Sequence, residues 1–196
     1  MRVSEQLITS GQFHDLWNQR FRDHQGDCYR YHGRFPVPTH LWDGTHEAEP
    51  FYDNGDKHSR PYEPIPVDNA VIDRNRITDP AHPVYKWFQE RTGLKTLRVV
   101  SNLQRPGMVI TWHADPGLTF LTKTEETKHL DVTQDDLRHF FYFHSDREPG
   151  QFFQLGSSLM DWRAGDMVEM PWWMPHASAN TSKSNRIVTS VVGLDV

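Results

Sequence analysis

Cysteine is almost absent from this sequence of 196 residues, in which Cys28 stands alone. A single cysteine excludes an intrachain disulfide framework and any zinc site built from several thiolates. Long apolar runs are absent as well, because no stretch approaches the roughly 20 residues that span a bilayer. Met1–Ile8 also lacks the apolar segment of a signal peptide. We therefore expect a cytoplasmic protein with no membrane association.

Excess positive charge is also absent, since the net charge is −5 and the sequence pI is about 6.2. This balance argues against a strongly basic surface, so nucleic acid is not an expected partner. The length predicts one domain over residues 1–196, with a sizeable core. Twelve histidines and seven tryptophans are present, and the aromatic residues indicate a packed core or a pocket walled by rings.

The chain changes character near residue 95, and the N-terminal part, residues 1–95, predicts helices and an irregular segment. Ser10–Phe21 carries apolar residues at helical spacing. Pro83–Thr92 predicts a second, shorter helix that ends at Gly93. Residues 22–80 are rich in Pro, Asp, His and Tyr without periodicity, so we expect a long irregular stretch that wraps over a core.

Residues 96–196 instead show short strand-like runs between turn signals such as Pro106-Gly107 and Asp146–Gly150. The predicted strands are Leu97–Leu103, Met108–Asp115, Arg138–His144, Phe152–Leu155, Ser158–Trp162, Met167–Met170, a segment at Trp172-Trp173, and Ile187–Val192. Such a series of short strands is typical of a jelly-roll. The predicted fold is therefore mostly β: a double-stranded β-helix (jelly-roll, cupin-like) core over residues 96–196, with N-terminal helices and long loops.

The tripeptide His113-Ala114-Asp115 is the strongest functional signal. On a strand, side chains two residues apart point to the same face, so His113 and Asp115 would project together. His176 could complete a set of two histidines and one carboxylate, which leaves metal positions open and is typical of non-haem Fe(II) oxygenases. Arg186 follows, and its planar guanidinium is suited to a carboxylate cosubstrate.

Each of these residues also has an ordinary interpretation. His113 can be a plain strand residue, Asp115 a turn residue before Pro116, and Arg186 a surface ion-pair partner. His139 and His144 flank an aromatic run and are interpreted as structural histidines rather than as ligands.

Residues 97–196 resemble the double-stranded β-helix core of the Fe(II)/2-oxoglutarate-dependent oxygenase superfamily. The shared pattern is Pro106-Gly107, His113-x-Asp115, Trp162-x-x-Gly165-Asp166, His176 and Arg186. The spacing from Gly107 to His113 is similar to that of prolyl hydroxylases. The block from Trp162 through Pro175-His176 to Asn185-Arg186 looks more like the aspartyl/asparaginyl β-hydroxylase group.

The resemblance implies that His113, Asp115 and His176 hold Fe(II). It also implies that Arg186 binds 2-oxoglutarate, with Arg138 and Gln104 as further candidates for binding this cosubstrate. No catalytic residue is expected beyond the metal centre. The serine that often follows the arginine by two positions is replaced by Val188, and Ser190 has the strand parity to substitute for it.

The implied reaction is hydroxylation of an amino acid, a peptide or another small substrate with O2, releasing succinate and CO2. The carboxylate ligand Asp115 favours hydroxylation over halogenation, while desaturation and ring formation remain open. The alternative is a cupin-like metal-binding protein, or a small-molecule-binding module without 2-oxoglutarate chemistry. Cupin sites usually contain a His-x-His pair, whereas this chain has His113-x-Asp115 and the downstream Arg186.

Overall fold

A computed structural model of the protein describes residues 18–38, 47–50, 71–115 and 130–196. Its helices are α1 (residues 18–23) and α2 (Pro83–Thr92), with a 3₁₀ turn at Gln134–Asp136. The strands are β1 (Arg30–Arg34), β2 (Glu47–Pro50), β3 (Val71–Ile77), β4 (Thr96–Gln104), β5 (Met108–His113), β6 (Arg138–Phe143), β7 (Gln151–Leu155), β8 (Ser158–Leu159), β9 (Asp166–Met170), β10 (His176–Asn180) and β11 (Arg186–Leu194). Neither helix, as far as these ranges describe it, has the length and apolar character needed to cross a membrane.

The strands form two antiparallel sheets. The large sheet has seven strands in the order β1-β9-β6-β11-β4-β3-β2, and the small sheet has four in the order β5-β10-β7-β8. From β4 onward the chain alternates between them: β4, β6, β9 and β11 lie in the large sheet, and β5, β7, β8 and β10 in the small one. This alternation defines a double-stranded β-helix, so the predicted fold class is confirmed.

Strand β6 shows how the sequence builds two cores on one sheet. Side chains alternate along a strand, and Phe141 and Phe143 point between the two sheets, where Phe143 stacks on Trp162 with ring centroids 4.8 Å apart. Phe140 and Tyr142 point to the outer face of the large sheet. Helix α2 covers that face, so β6 is apolar on both sides.

Helix α2 has the predicted bounds. His82 caps its N-terminus by accepting a hydrogen bond from the amide of Val84, and Pro83 occupies the first turn. Gly93 ends the helix in a left-handed conformation, with φ 75°, and its amide donates to the carbonyl of Gln89. The helix buries Phe88 against the large sheet.

The irregular segment predicted over residues 22–80 contains three strands, which corrects that prediction. Strand β1 pairs with β9 at one edge of the large sheet, and β3 and β2 extend the other edge beyond β4. Pairing with an existing sheet satisfies backbone groups of these added strands, so they form without a regular apolar pattern. Residues 39–46 and 51–70 lie outside the described ranges. So does most of the predicted Ser10–Phe21 helix, of which α1 includes the end.

Gly165 occupies a position that only glycine fits. It has φ +87°, and a Cβ there would lie 2.1 Å from the carbonyl oxygen of Phe35. Gly93 has a similar φ of +75° with nothing within 4 Å of its Cβ position. We expect Gly93→Ala to cost about 1–2 kcal/mol of unfolding free energy, and Gly165→Ala to cost more because the backbone must also shift. Urea unfolding followed by tryptophan fluorescence compares them, and equal losses would contradict the close approach.

Acidification is expected to destabilise the fold partly through His144. Its Nε2 lies 2.6 Å from Thr189 Oγ1, and burial lowers its pKa to about 3. Below the ordinary pKa of about 6.5 the unfolded chain binds a proton that the folded chain rejects. Stability from this group is therefore complete above pH ~6.5 and is lost as pH falls toward ~3.

The variant His144→Gln tests this pH dependence because glutamine keeps a polar contact for Thr189 but does not titrate. Between pH ~6.5 and ~3, the unfolding free energy of the variant should fall less steeply with decreasing pH than that of the unmutated protein. The difference between the two slopes should be up to about 1.4 kcal/mol per pH unit. Parallel pH profiles for the variant and the unmutated protein would contradict the assignment.

Candidate metal centre

Three side chains that bind metals gather at one end of the barrel. His113 Nε2 lies 3.9 Å from Asp115 Oδ1, and His176 Nε2 lies 3.5 Å from Asp115 Oδ2. The centroids of the two imidazole rings, of His113 and His176, are 4.2 Å apart. One ligand atom from each residue can be chosen so that all three lie within 4.8 Å of one another. The structure therefore brings together the three residues predicted as metal ligands.

A β-bulge in β5 places His113 in this group. His176 pairs with His113, but Ser178 pairs with Ile110, so β5 has one residue more than β10 between these pairs. A bulge of this kind changes which face a side chain occupies. His113 is the last residue of β5, and Asp115 lies beyond the strand. The predicted strand Met108–Asp115 is thus two residues too long, and the ligands do not meet by strand alternation.

Both imidazoles are oriented through their other ring nitrogen. His113 Nδ1 lies 2.7 Å from the carbonyl oxygen of Thr111, and His176 Nδ1 lies 3.3 Å from that of Met174. A carbonyl oxygen only accepts, so in each ring Nδ1 carries the proton and donates it. Each Nε2 faces Asp115, to which it can donate when it is protonated, and a metal would bind the same nitrogen in place of that proton, the usual arrangement in histidine sites.

The electrostatics of the group favour an ionised Asp115. Desolvation alone would raise the pKa of its carboxyl. The hydrogen bond from His176 and the nearby charge of His113 outweigh that effect and hold the pKa well below its ordinary value. The site therefore offers a carboxylate and two imidazoles, a hard and borderline donor set that suits divalent iron and related metals.

His139 lies beside the ligands without joining them. Its ring is 6.3 Å from that of His176, and its Nε2 lies 2.7 Å from Ser190 Oγ. Burial lowers its pKa to about 3, so the ring is neutral at physiological pH. His139 and His144 both have hydroxyl partners, which agrees with their interpretation as structural histidines.

Arg186 is buried deeper in the barrel, with 1% of its surface exposed. Its Nη1 donates to the carbonyl oxygen of Phe152 at 2.6 Å and its Nη2 to Oε1 of Gln104, while its buried Nε makes no hydrogen bond. Burial lowers its pKa to about 9, which still leaves it charged at neutral pH. Within the described part of the chain, no carboxylate forms an ion pair with it.

Aromatic rings connect Arg186 to the metal-ligand group. Its guanidinium carbon lies 5.5 Å from the ring centroid of Phe153 and 5.4 Å from that of Trp162. The ring of Phe153 is nearly parallel to that of His176, and the two ring centroids are 6.4 Å apart. Gln104 pairs in register with Arg186 and donates to Ser178 Oγ at 2.9 Å. Gln104 and Arg186 therefore lie together in the barrel interior, separated by the ring of Phe153 from the candidate ligand His176.

Arg138 does not join them, which corrects its predicted place at the cosubstrate. It precedes His139 on β6, and adjacent side chains on a strand point to opposite faces. Its Nε donates to Glu169 Oε1 at 2.8 Å and its Nη1 to the carbonyl oxygen of Thr92 at 3.1 Å. The side chain thus lies on the outer face of the large sheet, beside α2.

No family model matches the sequence, and no curated protein matches it. Among solved structures, a predicted oxalate decarboxylase from Thermotoga maritima is 10% identical with a TM-score of 0.37, covering 63% of this chain and 81% of its own. A Klebsiella pneumoniae protein with a double-stranded β-helix domain is 19% identical with a TM-score of 0.33, covering 50% and 68%. A DMSP lyase is 14% identical with a TM-score of 0.38, covering 62% and 47%. These distant neighbours accord with the fold, which the strand order itself establishes.

Proposed function

We propose that the protein is an Fe(II)- and 2-oxoglutarate-dependent dioxygenase that hydroxylates a small substrate. The observation that carries the proposal is Arg186, a buried cation with no carboxylate partner among the described residues. A buried charge without a counter-charge is costly. A bound carboxylate would offset that cost and accept a hydrogen bond from the orphaned Nε.

The residues present fit both a metal and 2-oxoglutarate. His113, His176 and Asp115 would hold Fe(II), and Arg186 with Gln104 would hold the distal carboxylate of 2-oxoglutarate. When bound, this pair of groups supplies the oxidising chemistry, in which O2 hydroxylates the substrate and 2-oxoglutarate is converted to succinate and CO2.

The chain's own groups would bind the metal and the cosubstrate, orient the ligand side chains and shield Arg186 from water. The Nδ1 hydrogen bonds to Thr111 and Met174 fix both imidazoles with Nε2 toward Asp115. Phe153 and Trp162 cover the guanidinium and exclude water around it. Excluding water strengthens the attraction between a guanidinium and a carboxylate, and a planar guanidinium can donate two parallel hydrogen bonds to the two carboxylate oxygens.

A second candidate is a cupin-like protein that binds a metal or a small molecule without 2-oxoglutarate. None of the structural neighbours named above is described as a 2-oxoglutarate oxygenase, so this candidate agrees with them better than the oxygenase does. The cupin-like candidate gives no binding role to the buried Arg186. The two candidates therefore differ in one observable property, the response to 2-oxoglutarate.

Formation of succinate tests the proposal. The protein is incubated with Fe(II), O2 and isotopically labelled 2-oxoglutarate, with a panel of metabolites and peptides, and labelled succinate is measured by mass spectrometry. We expect iron-dependent succinate that increases with the true substrate and is absent in His176→Ala. If labelled succinate stays at the level of the protein-free control with every member of the panel, the result favours the cupin-like candidate.

A further inference from the structure

A row of four side chains crosses the large sheet at the level of the metal ligands. Arg98 on β4 pairs with Val192 on β11, Val192 pairs with His139 on β6, and His139 pairs with Met170 on β9. Residues directly opposite each other in antiparallel strands point to the same face of a sheet. All four side chains therefore share one face.

That face is the barrel interior, next to the candidate metal centre. Met170 belongs to the core between the sheets, and the ring of His139 lies 6.3 Å from that of His176. Val192 packs in a cluster with Ala114, the residue between the ligands His113 and Asp115. Burial is the main cause of the lowered pKa of His139, and the positive charge of Arg98 adds to it, as expected for an arginine on the same face of the sheet.

Arg98 differs from the rest of the row in its exposure. Val192, His139 and Met170 are buried, at 5%, 1% and 2%, whereas Arg98 is only partly buried. Its flanking residues Leu97 and Val99 point the other way, into the core under α2. The sheet orders also place β4 across the barrel from β5, the strand that carries His113. Arg98 is thus the partly exposed member of the row that lies beside the candidate metal centre.

Arg98 and Arg186 occupy different depths on the same sheet. Arg186 pairs with Gln104, six residues along β4 from Arg98, so the backbones of the two arginines are about 20 Å apart at the usual rise of a strand. The side chain of Arg186 reaches back toward the ligands, because its guanidinium carbon lies 5.5 Å from the Phe153 ring, whose centroid is 6.4 Å from that of His176. A 2-oxoglutarate molecule held between the metal and Arg186 has both of its carboxylates engaged there. An arginine at the level of the metal is therefore placed to bind a different molecule.

We propose that Arg98 binds the carboxylate of the substrate that is oxidised, and that the substrates are therefore small carboxylic acids, amino acids included. This inference rests on the proposed function, because it assigns the second molecule at the same site. A guanidinium binds a carboxylate through two parallel hydrogen bonds and full charge attraction, whereas a primary amide offers neither the charge nor two equivalent acceptors.

The test compares acids with their amides. The probes are L-amino acids and short aliphatic carboxylic acids, each beside its primary amide. Binding to the anaerobic protein with Fe(II) and 2-oxoglutarate is screened by ligand-observed NMR and quantified by calorimetry. We expect at least one acid to bind at least tenfold more tightly than its amide. Arg98→Met should reduce that affinity at least tenfold, and Arg98→Lys should retain part of it.

Arg105→Met is the matched control, because Arg105 is exposed at the far end of β4 and its loss removes the same charge. It should bind the acid as the unmutated protein does. The affinity of Arg98→Met for 2-oxoglutarate should stay unchanged, which also shows that the variant is folded. Equal binding of acids and amides, no binding of any probe, or unchanged binding in Arg98→Met would overturn the inference. Failure of the unmutated protein to bind 2-oxoglutarate would instead remove the proposed function.

Discussion

Replacing His113 or His176 with alanine is expected to abolish stoichiometric retention of Fe(II). Each residue supplies one of only three ligand atoms in the group, so its loss should cost more than the 10–100-fold in affinity that is typical of groups outside the ligand shell. Anaerobic Fe(II) titration, followed by gel filtration and elemental analysis, measures the affinity and the bound metal. Succinate formation should be lost in parallel.

His144→Gln is a suitable control for the two ligand variants. His144 is a partly buried histidine in the β-helix, but its partner is Thr189 and it lies outside the ligand group. The control should retain one equivalent of iron. Full iron binding and full activity in either His113→Ala or His176→Ala would contradict the assignment of the metal centre.

The second large effect is expected at Arg186. In Arg186→Ala, the distal carboxylate of 2-oxoglutarate would be buried without its partner, at a cost of roughly 3–5 kcal/mol. Since about 1.4 kcal/mol is a factor of ten in affinity, binding should weaken at least about a hundredfold. Fe(II) binding should persist because Arg186 is not a ligand. Arg186→Lys should recover only part of the affinity, because an ammonium is a point charge.

Arg186→Met separates the loss of binding from a loss of folding. Its apolar side chain fills much of the same space between Phe153 and Trp162, and it removes a buried charge that has no carboxylate partner among the described residues. The loss of the costly buried charge is offset by the two acceptors left without Arg186, the carbonyl oxygen of Phe152 and Oε1 of Gln104, so the net change in stability of the ligand-free protein is expected to be small. Weak 2-oxoglutarate binding by a stable Arg186→Met protein would therefore report on the binding site alone. Unaltered affinity would remove Arg186 from that site.

Much of the fold can be predicted from local patterns, and the exceptions have physical causes. Strand β10 was not predicted as a strand because His-Ala-Ser-Ala-Asn contains no β-branched or aromatic residue. It nevertheless lies between β5 and β7, so pairing on both sides overrides its weak propensity. Strands β1 to β3 were missed for a related reason, since they form by adding to the edges of an existing sheet.

In the candidate site, too, the residue types could be predicted from the local sequence, whereas their orientation depends on strand pairing. The identities and spacing of His113, Asp115, His176 and Arg186 indicated the group, but the bulge that orients His113 depends on pairing with β10. Arg138 was misplaced because β6 is apolar along both faces, under α2 on one side and the small sheet on the other. With no alternation of polar and apolar residues, the sequence does not reveal which face of β6 points inward.

Anaerobic titration of the Fe(II)-loaded protein with 2-oxoglutarate tests the central claim most directly. Chelation of Fe(II) by a 2-oxo acid gives a visible charge-transfer band, so binding can be followed without turnover or knowledge of the substrate. The proposed function predicts a band that saturates at one equivalent, is absent in His176→Ala, and requires at least about a hundredfold more 2-oxoglutarate in Arg186→Ala. A protein that binds Fe(II) but develops no band at saturating 2-oxoglutarate would contradict it, and the cupin-like candidate would stand instead.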